Sequence, residues 1–294
     1  MPHRWLGEML RGVFLARPNR FLAVVRVGRG EVEAHVPDRG RCLDLLVPGQ
    51  RVVLVRIPVP AARRTQHTAL LAEAKSAPGT WVCLDPAGAP RLVAAALEAG
   101  LIPSLRGLSV LRREVVLPRR AGVASRIDLL LGARDAQPML CEVKSVGAAR
   151  GGVALFPDAP TLRGARHLRQ LAARARRGLR TAVVFCAQRG DVRAVCADAQ
   201  IDPLFALELR RAARAGVLLV GLRCAAESAG MRVLGEVPIA LTAPPEPAGR
   251  SMSTVVVAPG SVGAGLAGRA GAGVPRSDGR SAIAVLYSLV LRCP

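Results

Sequence analysis

The sequence predicts an α/β chain with an all-β part in front, and three observations carry this. From residue 91 onward the pattern reads helix, three strands, helix, strand, helix, strand, the order of a mixed sheet with helices against it. Over residues 15–85, short β-type runs are separated by Gly and Pro turns, which suits a small barrel or sandwich. Hydrophobic residues make up 51% of the 294 and aromatics only 3%, so a sizeable core exists and Ala, Val and Leu must build it.

Residues 21–27 and 31–36 flank Gly28-Arg29-Gly30, a hairpin signal. Pro37-Asp38-Arg39-Gly40 and Pro48-Gly49 are turns, and residues 50–59 are a further β-rich run. Residues 91–99 form a helix stopped by Gly100, followed by strands at 108–117, 126–131 and 139–146. A long helix spans 158–177, capped by Asp158 and stopped at Gly178. A buried strand at 179–187, a helix at 202–215 and a second buried strand at 217–222 complete the order. The domains read as an N-terminal extension at 1–14, the β domain at 15–85, the α/β domain at 86–243 and a flexible Gly/Ala/Pro-rich tail at 244–294.

The formal charge is +21, from 42 basic against 21 acidic residues. Lys occurs only at 75 and 144, so the other 40 bases are Arg. A GC-rich coding bias accounts for part of the Arg count but not for the two-to-one excess over acids. That excess points to a polyanion, most simply DNA, bound largely without sequence preference. Seven cysteines stand without a CxxC pair, which excludes a zinc ribbon or a thioredoxin-type pair and fits a reducing cytosol. Charges at Arg4, Glu8 and Arg11 interrupt any signal-peptide core, and residues 282–291 are too short to span a bilayer. A cytoplasmic protein with no membrane partner is expected.

The sharpest local signal is Cys141-Glu142-Val143-Lys144. Side chains two apart on a strand share a face, so Glu142 and Lys144 project together. A hairpin through residues 132–138 brings Asp128 of the preceding strand beside Glu142. Two carboxylates suit Mg²⁺ or Mn²⁺, and an ammonium beside them can orient water and offset charge on phosphorus. Where charge alone suffices this chain writes Arg, yet at 144 it writes Lys, whose compact ammonium is the more easily tuned base. Spacing alone leaves a second reading open: a strand-surface salt bridge, Glu142 with Lys144 or Asp128 with Arg126.

The stretches Arg113-Glu-Val115, Ser125-Arg-Ile-Asp128, Glu142-Val-Lys-Ser-Val146 and Leu155-Phe-Pro-Asp-Ala159 together carry a resemblance, over residues 15–240, to the sugar fermentation stimulation protein family. Thr161-Leu-Arg-Gly164, His167-Leu168, Gln188-Arg189 with Asp191, and Ile201-Asp-Pro203 extend it, and Phe21-Leu-Ala23, His35, Pro37, Gly40, Glu98-Ala-Gly100 and Ile102-Pro103 match the first half. It implies an OB-like barrel followed by a PD-(D/E)xK nuclease-like mixed-sheet domain, in a DNA-binding protein linked to sugar-utilisation genes. It also implies that Asp128 and Glu142 hold the metal, that Lys144 is catalytic with them, and that an early glutamate assists. Glu114 is favoured for that last role over Glu98.

The helix after the site is polar along one arc: Arg163, Arg166, His167, Gln170, Arg174 and Arg177 lie together, opposite Ala165, Leu168, Ala172 and Ala175. Seven Arg and no acid occupy residues 161–180, which fits phosphate contact better than a solvated face. His167 can instead turn toward the metal site. In the barrel, Arg39 and its neighbouring arginines supply charge, but Phe21 is almost the sole stacking surface. The family's turn usually reads Cys-Pro-Asn-Thr-Gly, whereas here it is Val36-Pro37-Asp38-Arg39-Gly40. Two functions follow: a DNA-binding protein with a Mg²⁺-dependent nuclease site, or a non-catalytic DNA-binding regulator that keeps the nuclease fold.

Overall fold

β-Branched residues flanked by turn formers make the front half strand. The computed structural model describes residues 3–4, 7–56, 65–117, 125–134, 136–227 and 229–241; the tail expected over 244–294 lies outside them. In chain order come β1 (His3–Arg4), β2 (Glu8–Asn19), β3 (Leu22–Val27), β4 (Gly30–His35), β5 (Arg51–Arg56), β6 (His67–Glu73) and β7 (Trp81–Cys83). Six of them form one sheet in the order β4-β3-β2-β5-β6-β7. A short parallel pairing, Ala34 with His67 and His35 with Thr68, curls it into a partly closed OB-like barrel. Phe14, Ala23, Val25, Ala34, Val52 and Leu54 fill its interior.

Residues 8–14 are therefore no extension. They open β2, which pairs with β3 on one side and β5 on the other. The charges at Glu8 and Arg11 hid this strand, because they sit on exposed positions of a strand buried only in part. β1 joins the other domain, pairing with its last long strand.

The second domain runs α1 (Gly88–Glu98), a 3₁₀ turn (Pro103–Leu105), β8 (Ser109–Leu117), β9 (Ser125–Ala133), β10 (Ala136–Val146), β11 (Ala149–Arg150) and β12 (Val153–Phe156). It continues with α2 (Leu162–Ala175), β13 (Arg180–Ala187), β14 (Ala194–Ala197), α3 (Pro203–Arg214), β15 (Leu218–Glu227), β16 (Gly230–Val237) and β17 (Ile239–Ala240). The main sheet has the order β1-β16-β15-β13-β10-β9-β8, with β10, β13 and β15 mutually parallel at its centre. Central parallel strands are covered on both faces, which is why they read as apolar runs. The β15–β16 hairpin and the small sheet β11-β12-β14-β17 were not evident from sequence; most of these strands are two to four residues long and carry little periodicity.

One face of the main sheet packs on α1 and on the barrel: Val53, Leu70, Leu71 and Cys83 share a core with Leu129, Cys141, Val143 and Val184. The other face packs on α2 and α3 through Leu168, Leu171, Phe185, Phe205 and Leu209. Phe156, Phe185 and Phe205 meet edge-to-face there, with centroids 5.0–6.4 Å apart.

The cap of α2 is Thr161, whose Oγ1 accepts the Gly164 N–H at 3.0 Å, a contact worth about 1 kcal/mol. Asp158 is not the cap. Its carboxylate accepts the Cys42 N–H at 3.2 Å and so fastens the barrel loop to the segment leading into α2. Gly178 ends the helix in a left-handed turn (φ 79°), where the Leu179 N–H returns to the Arg174 carbonyl. Among the described residues, no helix is long and apolar enough to cross a membrane.

Candidate metal centre

β9 and β10 pair antiparallel with Cys141 opposite Leu129, so the next step sets Glu142 opposite Asp128. Alternation turns both carboxylates to the face that α2 covers. The backbone fixes Asp128, whose Oδ2 accepts the Val143 N–H at 2.8 Å. Glu142 is buried, with a side chain only 5% exposed, and its Oε1 accepts two hydrogen bonds. One is from Lys144 Nζ at 2.7 Å and the other from His167 Nδ1 at 2.5 Å. A carboxylate only accepts, so Nδ1 carries the proton.

Glu142 Oε2 is buried and, among the described residues, has no hydrogen-bond partner. An orphaned carboxylate oxygen costs at least ~1–3 kcal/mol, which a cation at that position offsets. The donor set fits a hard divalent ion. Both candidate ligands are carboxylates, while the nearby thiol, Cys141, lies on the opposite face and is pushed up by burial and by Asp128 and Glu142. The two carboxyls differ in character. Burial, and then the charge of Glu142, raises Asp128 to about 6. Burial also acts to raise Glu142, but the His167 hydrogen bond and the Lys144 charge outweigh it and hold Glu142 below the ordinary value.

This asymmetry makes a prediction for the metal-free protein. Asp128 keeps its proton to higher pH in the folded chain than in the unfolded one. Its ionisation therefore costs nothing at pH 4 or below, and costs progressively more as pH rises through about 6, approaching ~3 kcal/mol for a shift of about two units. Asp128→Asn is expected to match the wild type near pH 4 and to exceed it above pH 6, in urea unfolding with EDTA. Parallel pH curves would contradict this.

Of the two open readings of the trio, the salt-bridge one is met by the Glu142–Lys144 ion pair, which is buried rather than on the strand surface. The Asp128–Arg126 bridge does not form, because Arg126 pairs with Glu114 at 3.2 Å. Glu114 is thus engaged by Arg126 rather than joined to the Glu142 cluster. It lies across the ladder from Asp128, but its carboxylate is 70% exposed and its backbone is left-handed (φ 54°), uncommon for a non-glycine. Glu98 is exposed at the end of α1.

Of the expected nucleic-acid contacts, Arg163 and Arg177 are exposed, and Arg166, Gln170 and Arg174 are half-buried on the same side of α2. Among the described residues, Arg166 Nε and Gln170 Oε1 have no hydrogen-bond partner, and Arg174 donates to the Gln170 carbonyl. His167 departs from the arc. It is 1% exposed and hydrogen-bonds to Glu142, so it joins the Glu142–Lys144 cluster rather than an exposed surface. The signal was its place at the arc's edge, about 40° from buried Leu171. Arg39 is exposed on the barrel loop, near Phe21. Sequence reasoning gave no structural role to Arg189, which is fully buried and grips Asp191 through two 2.7 Å bonds while donating to the Gly147 carbonyl at 2.8 Å.

Comparison with known proteins agrees with this architecture. Residues 15–84 match the family model for the SfsA N-terminal OB domain, and residues 88–230 match that for the sugar fermentation stimulation protein RE domain. The chain belongs to the sugar fermentation stimulation protein family. A family member from Moorella thermoacetica is 39% identical over 235 residues, covering 80% of this chain and 98% of the relative. One from Thioalkalivibrio sulfidiphilus is 44% identical over 211 residues, covering 71% and 86%. The solved structure of Pyrococcus furiosus SfsA in complex with Ca²⁺ superposes with a TM-score of 0.71 at 27% identity, covering 82% of this chain and 99% of that one. The family's two-part architecture, barrel then mixed sheet, is the one described above.

Proposed function

We propose that this family member is a DNA-binding protein with a Mg²⁺- or Mn²⁺-dependent site for phosphodiester hydrolysis. The observation that carries the reading is the buried, unpartnered Oε2 of Glu142 facing the same side as Asp128, with Lys144 beside it. The relative from Pyrococcus furiosus is described as a Ca²⁺ complex, and Ca²⁺ is likewise a hard, oxygen-seeking ion. Asp128 and Glu142 would hold the cation, which when bound supplies Lewis-acid stabilisation of charge on phosphate oxygens.

The chain's own residues do the rest. His167 clamps Glu142 Oε1 and leaves Oε2 open. Lys144 commits one donor to Glu142, so two remain to orient water and to meet charge developing on the phosphate. Arg163, Arg166, Arg174 and Arg177 neutralise flanking phosphates, in keeping with the +21 charge. A non-catalytic DNA-binding regulator is the second reading, and one observation favours it: Glu114 is tied to Arg126, which leaves two carboxylates rather than three.

Incubating the protein with linear, nicked and single-stranded DNA, with Mg²⁺, Mn²⁺ or EDTA, separates the two. Cleavage that EDTA abolishes supports the hydrolytic reading; binding without cleavage supports the regulator. The binding surface has its own test. Log affinity should fall by about 0.9 per neutralised phosphate for each tenfold rise in salt, and Arg163, Arg166 and Arg174 all changed to Ala should flatten the slope by two to three such units. An unchanged slope would put the DNA elsewhere.

A further inference from the structure

We infer that Phe21 and the arginines around it form a stacking platform for an unpaired nucleobase, so that the barrel takes single-stranded nucleic acid. This rests on the nucleic-acid reading above and adds strandedness to it. Phe21 is 43% exposed at the turn between β2 and β3. Isolated exposed hydrophobics are ordinary, and so is a single cation–π contact, which occurs about once per 70–80 residues. Here two guanidinium groups from different segments flank one exposed ring, Arg20 at 5.4 Å and Arg39 at 5.5 Å from its centroid. Arg41 is exposed on the same loop as Arg39.

The platform is built rather than incidental. The Phe21 N–H donates to Asn19 Oδ1 at 2.9 Å, and its carbonyl accepts the Val36 N–H at 2.8 Å. A single side chain, Arg17, donates to four carbonyls: Gly40 and Arg41 through Nη1, Arg20 and Asp38 through Nη2, all at 2.8–2.9 Å. That guanidinium staples the Phe21 turn to the loop bearing Arg39 and Arg41. Asp38 accepts the Gly40 N–H at 2.8 Å from within the loop, and Asp158 holds the loop's far end through the Cys42 N–H. Gly40 is needed for that approach, since a Cβ there would lie 2.1 Å from the Asp158 carboxylate.

An exposed ring with two guanidinium groups already held over it pays little ordering cost on binding. Its complement is a flat π-surface attached to an anionic backbone, which describes an unpaired nucleotide; in a duplex the base faces are already stacked. The loop is fastened at Asp158, three residues ahead of the cap of α2, so the platform adjoins the approach to the arginine-bearing helix.

The test compares a labelled oligo-dT strand, an abasic strand of equal length and a blunt duplex at one salt concentration. Wild type should prefer oligo-dT over the abasic strand. Phe21→Ala should lose about 5- to 150-fold on oligo-dT, the equivalent of one stacked base, with no loss on the abasic strand or the duplex. Phe21→Trp should retain binding. An unchanged affinity of Phe21→Ala for oligo-dT, or an equal loss on all three ligands, overturns the platform while leaving DNA binding intact. Failure of the wild type to bind any of the three overturns the platform and the nucleic-acid reading together.

Discussion

Replacing Arg189 by Met is expected to cost the fold about 3–5 kcal/mol, the usual loss when one partner of a buried ionic cluster is removed. Arg189 is 0% exposed. Besides its bidentate grip on Asp191 it lies 3.5 Å from Asp44 of the barrel and donates to the carbonyl of Gly147, so one side chain ties both domains together. Neighbouring contacts reinforce the seam: Gln188 donates to Ser145 and to the Asp85 carbonyl, and the Cys83 N–H donates to the Gln188 carbonyl. Met fills comparable volume but leaves Asp191 and Asp44 without their cation. Burial acts to raise Asp191, and the Arg189 hydrogen bonds and charge overcome it and hold the carboxyl below its usual range. That stabilisation is present above about pH 4 and is lost as pH falls through the lowered value. The variant's deficit in urea midpoint should therefore shrink in acid, and Arg189→Lys, which keeps charge but not the fork, should fall between. A midpoint unchanged at pH 7 would show that the cluster contributes nothing.

Glu142→Gln and Asp128→Asn should move metal-free stability in opposite directions. From strand pairing alone the two carboxylates are equivalent, and either amide would relieve their repulsion. The helix breaks that equivalence. Glu142 is the counterion for Lys144, 11% exposed, and the acceptor for His167, 1% exposed, so its neutralisation should cost about 3–5 kcal/mol. Among the described residues the hydrogen-bond donor to Asp128 is the Val143 N–H and not a cation, and burial raises Asp128, so its neutralisation should stabilise. Mn²⁺ is expected to raise the melting temperature of the wild type, and both variants should lose that rise. Lys144→Ala should keep that rise, because the acceptors remain, while any DNA cleavage falls about 10²–10³-fold. A Mn²⁺ shift that survives in Glu142→Gln would remove the metal centre and leave only the DNA-binding reading.

Much of the candidate site was legible because strands encode faces locally. The Glu142–Lys144 pairing follows from a period of two, and Asp128 follows from one short hairpin. His167 was harder: a helical wheel gives an arc but not its rotation against the sheet, and only the packing of Leu168 and Leu171 turns His167 inward to Glu142. Glu114 failed for a related reason. Strand register alone sets it across from Asp128, but its left-handed backbone and the competing cation Arg126 are non-local facts.

The sequence by itself determined the order of elements, the mixed sheet and the faces of its strands, because these depend on periodicity and on turn residues within a few positions. Only the tertiary structure decided which groups meet across the chain. Arg17 reaching the carbonyls of Asp38, Gly40 and Arg41, Arg189 reaching Asp44 of the barrel, and Asp158 leaving the helix to hold a barrel loop are contacts between residues 21 to 145 apart. Each satisfies polar groups that packing removes from water, and such a debt exists only once the barrel and the sheet are pressed against one another.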